Sequence, residues 1–205
     1  MAQPDPENVL AWWLGDSASD PAQARARTPV WFGANTRVDA EIRRRFATTA
    51  AAAARGELSD WADSPRSCLA LAIALDQFPR NLFRGTPAAF AQDRHALALS
   101  RAAVGRGFVL ELGTVEQAFL LMPYQHAESR TMQRRGVALF EAMARRATAP
   151  WQSQARRFAH FAREHAGIVE RFGRFPHRNP VLGRQSSAAE LHYLRTGGKT
   201  YGQGD

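Results

Sequence analysis

Between Trp151 and Gly173 the chain repeats apolar positions every three or four residues without a break: Trp151, Ala155, Phe158, Ala162, His165, Val169 and Phe172, widened by Phe161 and Ile168. That spacing sets the residues on one stripe of an α-helix, whereas a strand, alternating with a period of two, would scatter them over both faces. The same period governs most of the chain. From Asn35, the residues Val38, Ile42, Phe46, Ala50 and Ala53 form a second stripe, in a segment whose alanines cost little entropy in a helix and which Gly56 terminates. No run of alternating β-branched residues is long enough to suggest a sheet.

The segment RSCLALAIALDQF, opened by Ser64-Pro65, is apolar on almost every side, as expected of a helix buried all round. Proline cannot donate to the helix ladder, so Pro79 predicts an end near Phe78. Thr86-Pro87 reads as an N-cap and first helical residue, starting a helix that Gly105 or Gly107 closes. Thr114 is placed as the cap of VEQAFLLM, which Pro123 interrupts, and another helix begins around Ser129. Gly173 closes the longest helix, and the proline-pinned coil RFPHRNPVLGR follows. A short helix, SAAELHYLRT, precedes a glycine-rich tail. Short links between helices predict antiparallel neighbours. The expectation is an all-α single domain of stacked antiparallel helical hairpins over residues 1–196, with a flexible tail over 197–205.

Composition bounds the function. The net charge of +8 invites a nucleic-acid reading, but all but one of the 27 basic residues are arginines, spread from end to end among acids, the exception being Lys199. A patch built for phosphates would be clustered, so nucleic acid is disfavoured as a partner. No stretch nears the roughly 20 apolar residues that cross a bilayer. The N-terminus lacks the basic start of a signal peptide, so cytoplasmic residence is expected. Cys68 is the only cysteine, which excludes an internal disulfide or a multi-thiolate metal site, and its apolar surroundings suggest an inert packing residue.

Three segments, DQFPRNLFRGTPAAF at Asp76–Phe90, PYQHAES at Pro123–Ser129 and HAGIVERFGRFPHRNPVLGR at His165–Arg184, resemble signatures of the bacterial domain-of-unknown-function family 924. The resemblance runs from VLAWWLGD at Val9 to LRTGG at Leu194. It implies a tetratricopeptide-like, right-handed helical array and carries no catalytic assignment. Gln125 departs from the family pattern, in which leucine or methionine often precedes the histidine; His126 itself is in place. Within the chain, QFPRNLFRG at Gln77–Gly85 echoes RFPHRNPVLGR at Arg174–Arg184, raising the question of duplication.

The polar residues hardest to explain as surface lie in these segments. His165 falls inside an apolar stripe, where it is either a hydrogen-bonded core histidine or a base or ligand. Asp76 is placed at the end of an apolar helix, where the dipole disfavours an acid unless a specific partner holds it. His126 and Glu128 stand at a helix junction; with His165 or His177 they raise the idea of a metal site, but nothing fixes its spacing and neither metal nor cofactor is expected. Arg80, Arg84, Arg171, Arg174, Arg178 and Arg184, beside Asn81 and Asn179, either anchor an anion or tie down irregular coil. Trp12, Trp13, Trp31, Phe32, Trp61 and Trp151 read as packing.

Two functional readings follow. The leading one is a binding module for a small anion or an acidic protein segment, with Arg80, Asn81, Arg84, Arg174, Arg178, Asn179 and Arg184 as the contacts. The alternative is a hydrolase-type or acid–base enzyme drawing on Asp76, His126, Glu128, His165 and His177. The second requires those side chains to converge.

Overall fold

The helical periodicity is realised in a computed structural model that describes residues 3–202. Among the described residues every regular element is helical: α1 (Pro6–Leu14), α2 (Pro21–Ala26), α3 (Thr28–Phe32), α4 (Thr36–Ala54), α5 (Pro65–Leu82), α6 (Asp93–Gly105), α7 (Thr114–His126), α8 (Arg130–Arg146), α9 (Gln152–Phe172) and α10 (Ala188–Arg195), with short 3-10 turns between several of them. Consecutive long helices pack side by side, α4 on α5, α7 on α8 and α8 on α9. No helix among the described residues is long and apolar enough to cross a membrane.

Helix α5 is the axis of the fold, buried continuously from Cys68 to Pro79, with α1, α4, α6 and α7 laid against it. Trp13 of α1 is fully buried and meets Phe78 and Phe119 edge-on at 5.8 and 5.6 Å between ring centres. Edge-to-face pairs add to the area each ring buries. Cys68 sits in this core, where burial pushes its thiol up to about 11, so it packs as an inert apolar residue.

Several helix boundaries match the local chemistry. Asn35 accepts from the amides of Arg37 and Val38 at the start of α4, Ser129 caps α8, and Ser187 and Glu190 form a reciprocal capping box on α10. Gly173, at φ 75°, takes the left-handed conformation that ends α9.

Four expectations are corrected. α5 does not stop near Phe78 but continues through Pro79 to Leu82. The N–H that Pro79 lacks would have met the Leu75 carbonyl; on the next carbonyl of the same turn, that of Asp76, the Arg80 guanidinium adds a side-chain bond. Likewise α7 passes through Pro123 to His126, and Gln133 of α8 donates to the carbonyls of Gln125 and Ala127 at 2.6 and 2.8 Å, capping the end of α7 from outside. The segment after Thr86-Pro87 first makes a 3-10 turn over Pro87–Phe90, and α6 begins at Asp93. Thr114 is the first residue of α7 rather than its cap, which is Gly113, whose amide donates to Glu116.

Close approach of α7 and α8 depends on Gly136, since a Cβ there would lie 2.9 Å from Tyr124 Cβ. A smaller core of Ile168, Val169 and Phe175, joined by Phe172, Tyr193 and Tyr201, sits beneath the C-terminal segments. Residues 203–205 of the expected flexible tail lie outside the described residues. Ahead of them, Tyr201 stacks on His165 at 4.0 Å, and the Gly202 carbonyl accepts from Arg84 at 2.9 Å.

Candidate functional site

A cavity of about 150 Å³ opens where α3, α5, α7 and α9 meet the segment after α9. Each of the three recognised segments contributes to its wall: Gln77, Arg80, Asn81, Arg84 and Phe90 from the first, Gln125 and His126 from the second, and His165, Phe175, His177 and Arg178 from the third. Trp31, Phe32, Met122, Phe158, Phe161 and Tyr201 supply most of the remaining wall, which is therefore largely aromatic.

Behind the wall, Asp76 is almost completely buried, and both its carboxylate oxygens lie 2.9 Å from His126 Nδ1. Gln77 donates to the same carboxylate, and Arg80 lies 3.3 Å from it, one helical turn on. Burial pushes the Asp76 carboxyl up, but the Arg80 charge, the His126 charge once that ring is protonated, and the bonds from His126 and Gln77 outweigh it and hold the group below the usual carboxylate range. Asp76 is therefore ionised and can only accept, which puts the His126 proton on Nδ1. Burial also draws the His126 imidazole below its ordinary value; the Asp76 charge offsets part of this and Arg80 reinforces it. At neutral pH the ring is uncharged, with the lone pair on Nε2.

His165 is arranged in the same way. Its Nδ1 lies 2.8 Å from the Phe161 carbonyl, which can only accept, so its lone pair is also on Nε2. Burial, helped by His126, pushes His165 down to about 3. His177 is likewise pushed down to about 3, by burial and by the neighbouring Arg178 charge. The rings of His126 and His165 are 5.9 Å apart between centres. No group of three or more histidine, cysteine, aspartate or glutamate side chains among the described residues is arranged to hold a metal ion.

The arginines are mostly engaged within the protein. Arg80 donates to Asp93 at 2.9 Å and Arg178 to its other oxygen at 3.0 Å, so the two echoing segments meet on one carboxylate. They meet without sharing a structure, for the first is the end of α5 and the second is a 3-10 turn over Pro176–Arg178. Arg84 forks onto Asp39 at 2.9 and 3.0 Å, and Asn81 donates to the same group at 2.8 Å.

Arg174, Arg184, Glu128 and Asn179 are not part of the wall. Arg174 forks onto Glu190 at 2.7 and 2.9 Å. Asn179 donates to Ser186 at 3.0 Å. Arg184 forks onto Glu128, which also accepts the Phe175 amide at 2.8 Å. Burial pushes Glu128 up, but these two partners outweigh it and keep it ionised. This group pins the coil that follows α9. Arg171 lies over the rings of Phe172 and Tyr193, 4.7 and 6.0 Å from their centres.

Asp93 is the polar residue that sequence reasoning missed. An acid in the first turn of a helix is explained locally by the dipole, so nothing marked it as the partner of two distant guanidiniums. Tyr201 was hidden by its glycine-rich surroundings. Trp31 and Phe32, read as packing, line the cavity as well.

The sequence model of a bacterial family described as "Bacterial protein of unknown function (DUF924)" matches residues 9–198. A solved structure of a protein of unknown function from Agrobacterium tumefaciens is similar, at 34% identity and a TM-score of 0.79, covering 94% of this chain and 97% of that one. No curated protein matches the chain.

Proposed function

The chain belongs to the DUF924 family, a membership that brings no reaction with it, and we propose that it is an acid–base enzyme in which His126, oriented by Asp76, is the general base for a small bound molecule. The observation that carries this reading is the 2.9 Å contact of both Asp76 oxygens with His126 Nδ1, at the wall of a partly open, largely aromatic cavity. A buried carboxylate on one imidazole nitrogen fixes the tautomer, steadies the ring and stabilises the imidazolium that forms when Nε2 takes a proton. His165 presents a second acceptor beside it. Among the described residues the cavity wall includes no serine, threonine or cysteine. The reading is therefore direct proton transfer, from the substrate or from a water held with it, without a covalent step on the protein.

The binding-module reading rests on arginines that are free to meet a ligand. Arg84, Arg174 and Arg184 are each forked onto an internal carboxylate, which favours the enzymatic reading over a groove lined with anion anchors.

Long-range proton–nitrogen spectra of histidine-labelled protein test the proposal without a known substrate. The expected result is a neutral His126 at pH 7 with its proton on Nδ1; an imidazolium, or a proton on Nε2, overturns it. A panel of small esters and carbonyl compounds incubated in heavy water gives the second measurement. Turnover or deuterium incorporation should fall by about 100-fold or more in His126→Gln, in line with the loss of a general base, and an unchanged rate refutes the assignment.

A further inference from the structure

We infer that the cavity takes a small single-ring acid, its carboxylate held by Arg178 and its ring against the aromatic wall. This names the ligand class of the proposed enzymatic site and rests on that reading of the cavity.

Arg178 differs from the other arginines around it. It is 5% exposed, and its guanidinium makes one hydrogen bond within the described residues, to Asp93 at 3.0 Å. A guanidinium carries five donors in a fixed fork that suits a carboxylate taken two oxygens at a time. Arg84 and Arg184 achieve that pairing, on Asp39 and Glu128. Arg178 does not, because Asp93 gives its second oxygen to Arg80.

Two rings lie against the Arg178 guanidinium, Phe90 at 4.4 Å and Phe175 at 4.5 Å. These contacts steady the fork while leaving donors for an acceptor. A buried charge with so few partners is costly unless a ligand completes its bonding. Around it the imidazoles are uncharged and the charges of Arg80 and Arg178 are matched by those of Asp76 and Asp93, so a ligand anion is drawn by the open donors of Arg178 itself rather than by a net positive field. An uncharged carbonyl accepts from such a donor but brings no charge to pair with the guanidinium.

The rest of the molecule is set by size and surface. An apolar cavity near 150 Å³ accepts a benzene-sized guest. Trp31, Phe158 and Phe161 offer flat surfaces for a ring, and Phe32, 44% exposed, lies where the wall reaches solvent. A long acidic peptide does not fit this volume, so the occupant is a small molecule.

Calorimetry on the full chain at pH 7 tests the inference, with benzoate, phenylacetate and the uncharged isostere benzamide as probes. At least one of the two acids should bind roughly ten times more tightly than benzamide, a gap of about 1.4 kcal/mol. Arg178→Met should remove the preference. Should that variant fail to fold, the comparison of probes on the unaltered protein still decides the question. Phe161→Trp, which narrows the cavity with a larger ring, should weaken acid binding at least severalfold while circular dichroism stays unchanged. Acids no tighter than benzamide, no binding at millimolar concentration, or affinity unchanged by Phe161→Trp each overturn the inference. The two readings fail separately. A charged His126 in the nitrogen spectra sinks the base and leaves the affinities as they are, whereas equal affinities sink the ligand class and leave the tautomer as it is.

Discussion

Lowering the pH from 7.5 to 5 should strip stability from this fold well before its carboxylates begin to titrate. His165 and His177 are both pushed down to about 3 in the folded protein, whereas an unfolded histidine titrates near 6.5. Below that value the unfolded chain binds protons that the folded chain refuses, so stability falls as the pH falls. The groups facing His165 are His126, His177 and Arg178; those facing His177 are Arg178, Arg80, Arg184 and Glu128, with the cations prevailing. Each ring should cost about 2 kcal/mol at pH 5 relative to pH 7.5, about 4 kcal/mol together, set against a typical total of 5–15. His126, lowered in the same direction, adds to the loss. Asp76, Glu128 and Glu190, all held below the usual carboxylate range, contribute stability that is present above about pH 4 and lost only as the pH falls further. The interval between pH 6.5 and 5 therefore belongs to the histidines. Urea titrations at half-unit steps of pH measure it. His165→Phe, which keeps a ring against Tyr201 and removes one titration, should remove about half of the two-ring dependence, or about 2 kcal/mol. A wild-type stability that changes by less than about 1 kcal/mol over the range, or His165 and His177 resonances titrating near 6.5, would refute the reasoning.

Three further outcomes are expected. Gly136→Ala should destabilise the fold by about 1–3 kcal/mol despite alanine's better helix propensity, because the new methyl would meet Tyr124 Cβ at 2.9 Å; an unchanged melting temperature counts against the close packing of α7 on α8. Asp93→Asn should cost about 3–5 kcal/mol, the usual penalty for removing one partner of a buried ion pair, since Arg80 and Arg178 both bond that carboxylate; a loss below about 1 kcal/mol in chemical denaturation contradicts the shared pairing. Tyr201→Ala should speed acylation of His165 by diethyl pyrocarbonate severalfold, as the ring stacked on that imidazole is removed; an unchanged rate means Tyr201 does not shield it.

The correspondence between sequence and structure is uneven for physical reasons. Helix ends set by local bonds were legible: Asn35, Ser64, Ser129 and Ser187 all cap helices through side chains reaching two or three residues along the chain. Ends judged from proline were misplaced, because α5 and α7 run on through Pro79 and Pro123 where both helices are buried among their neighbours. Packing of that kind comes from elements distant in the chain and leaves no local signal beside the proline. The convergence of His126, His165, His177, Arg80 and Arg178 on one cavity followed from motif chemistry only as an idea. Arg174, Arg184 and Glu128 carry the same chemistry and serve to hold coil in place.

By itself, the sequence determined the all-helical class, the long buried α5, several helix starts, and the three segments from which a site could be drawn, because each depends on periodicity or on contacts within a few residues. Only the tertiary structure decided which charges meet. Asp76 finds His126 across 50 positions and Asp93 finds Arg178 across 85, and which arginine is left with an open fork follows from that pairing. Such distances are set by how helices pack, through burial summed over the whole core, and no local stretch of chain encodes them.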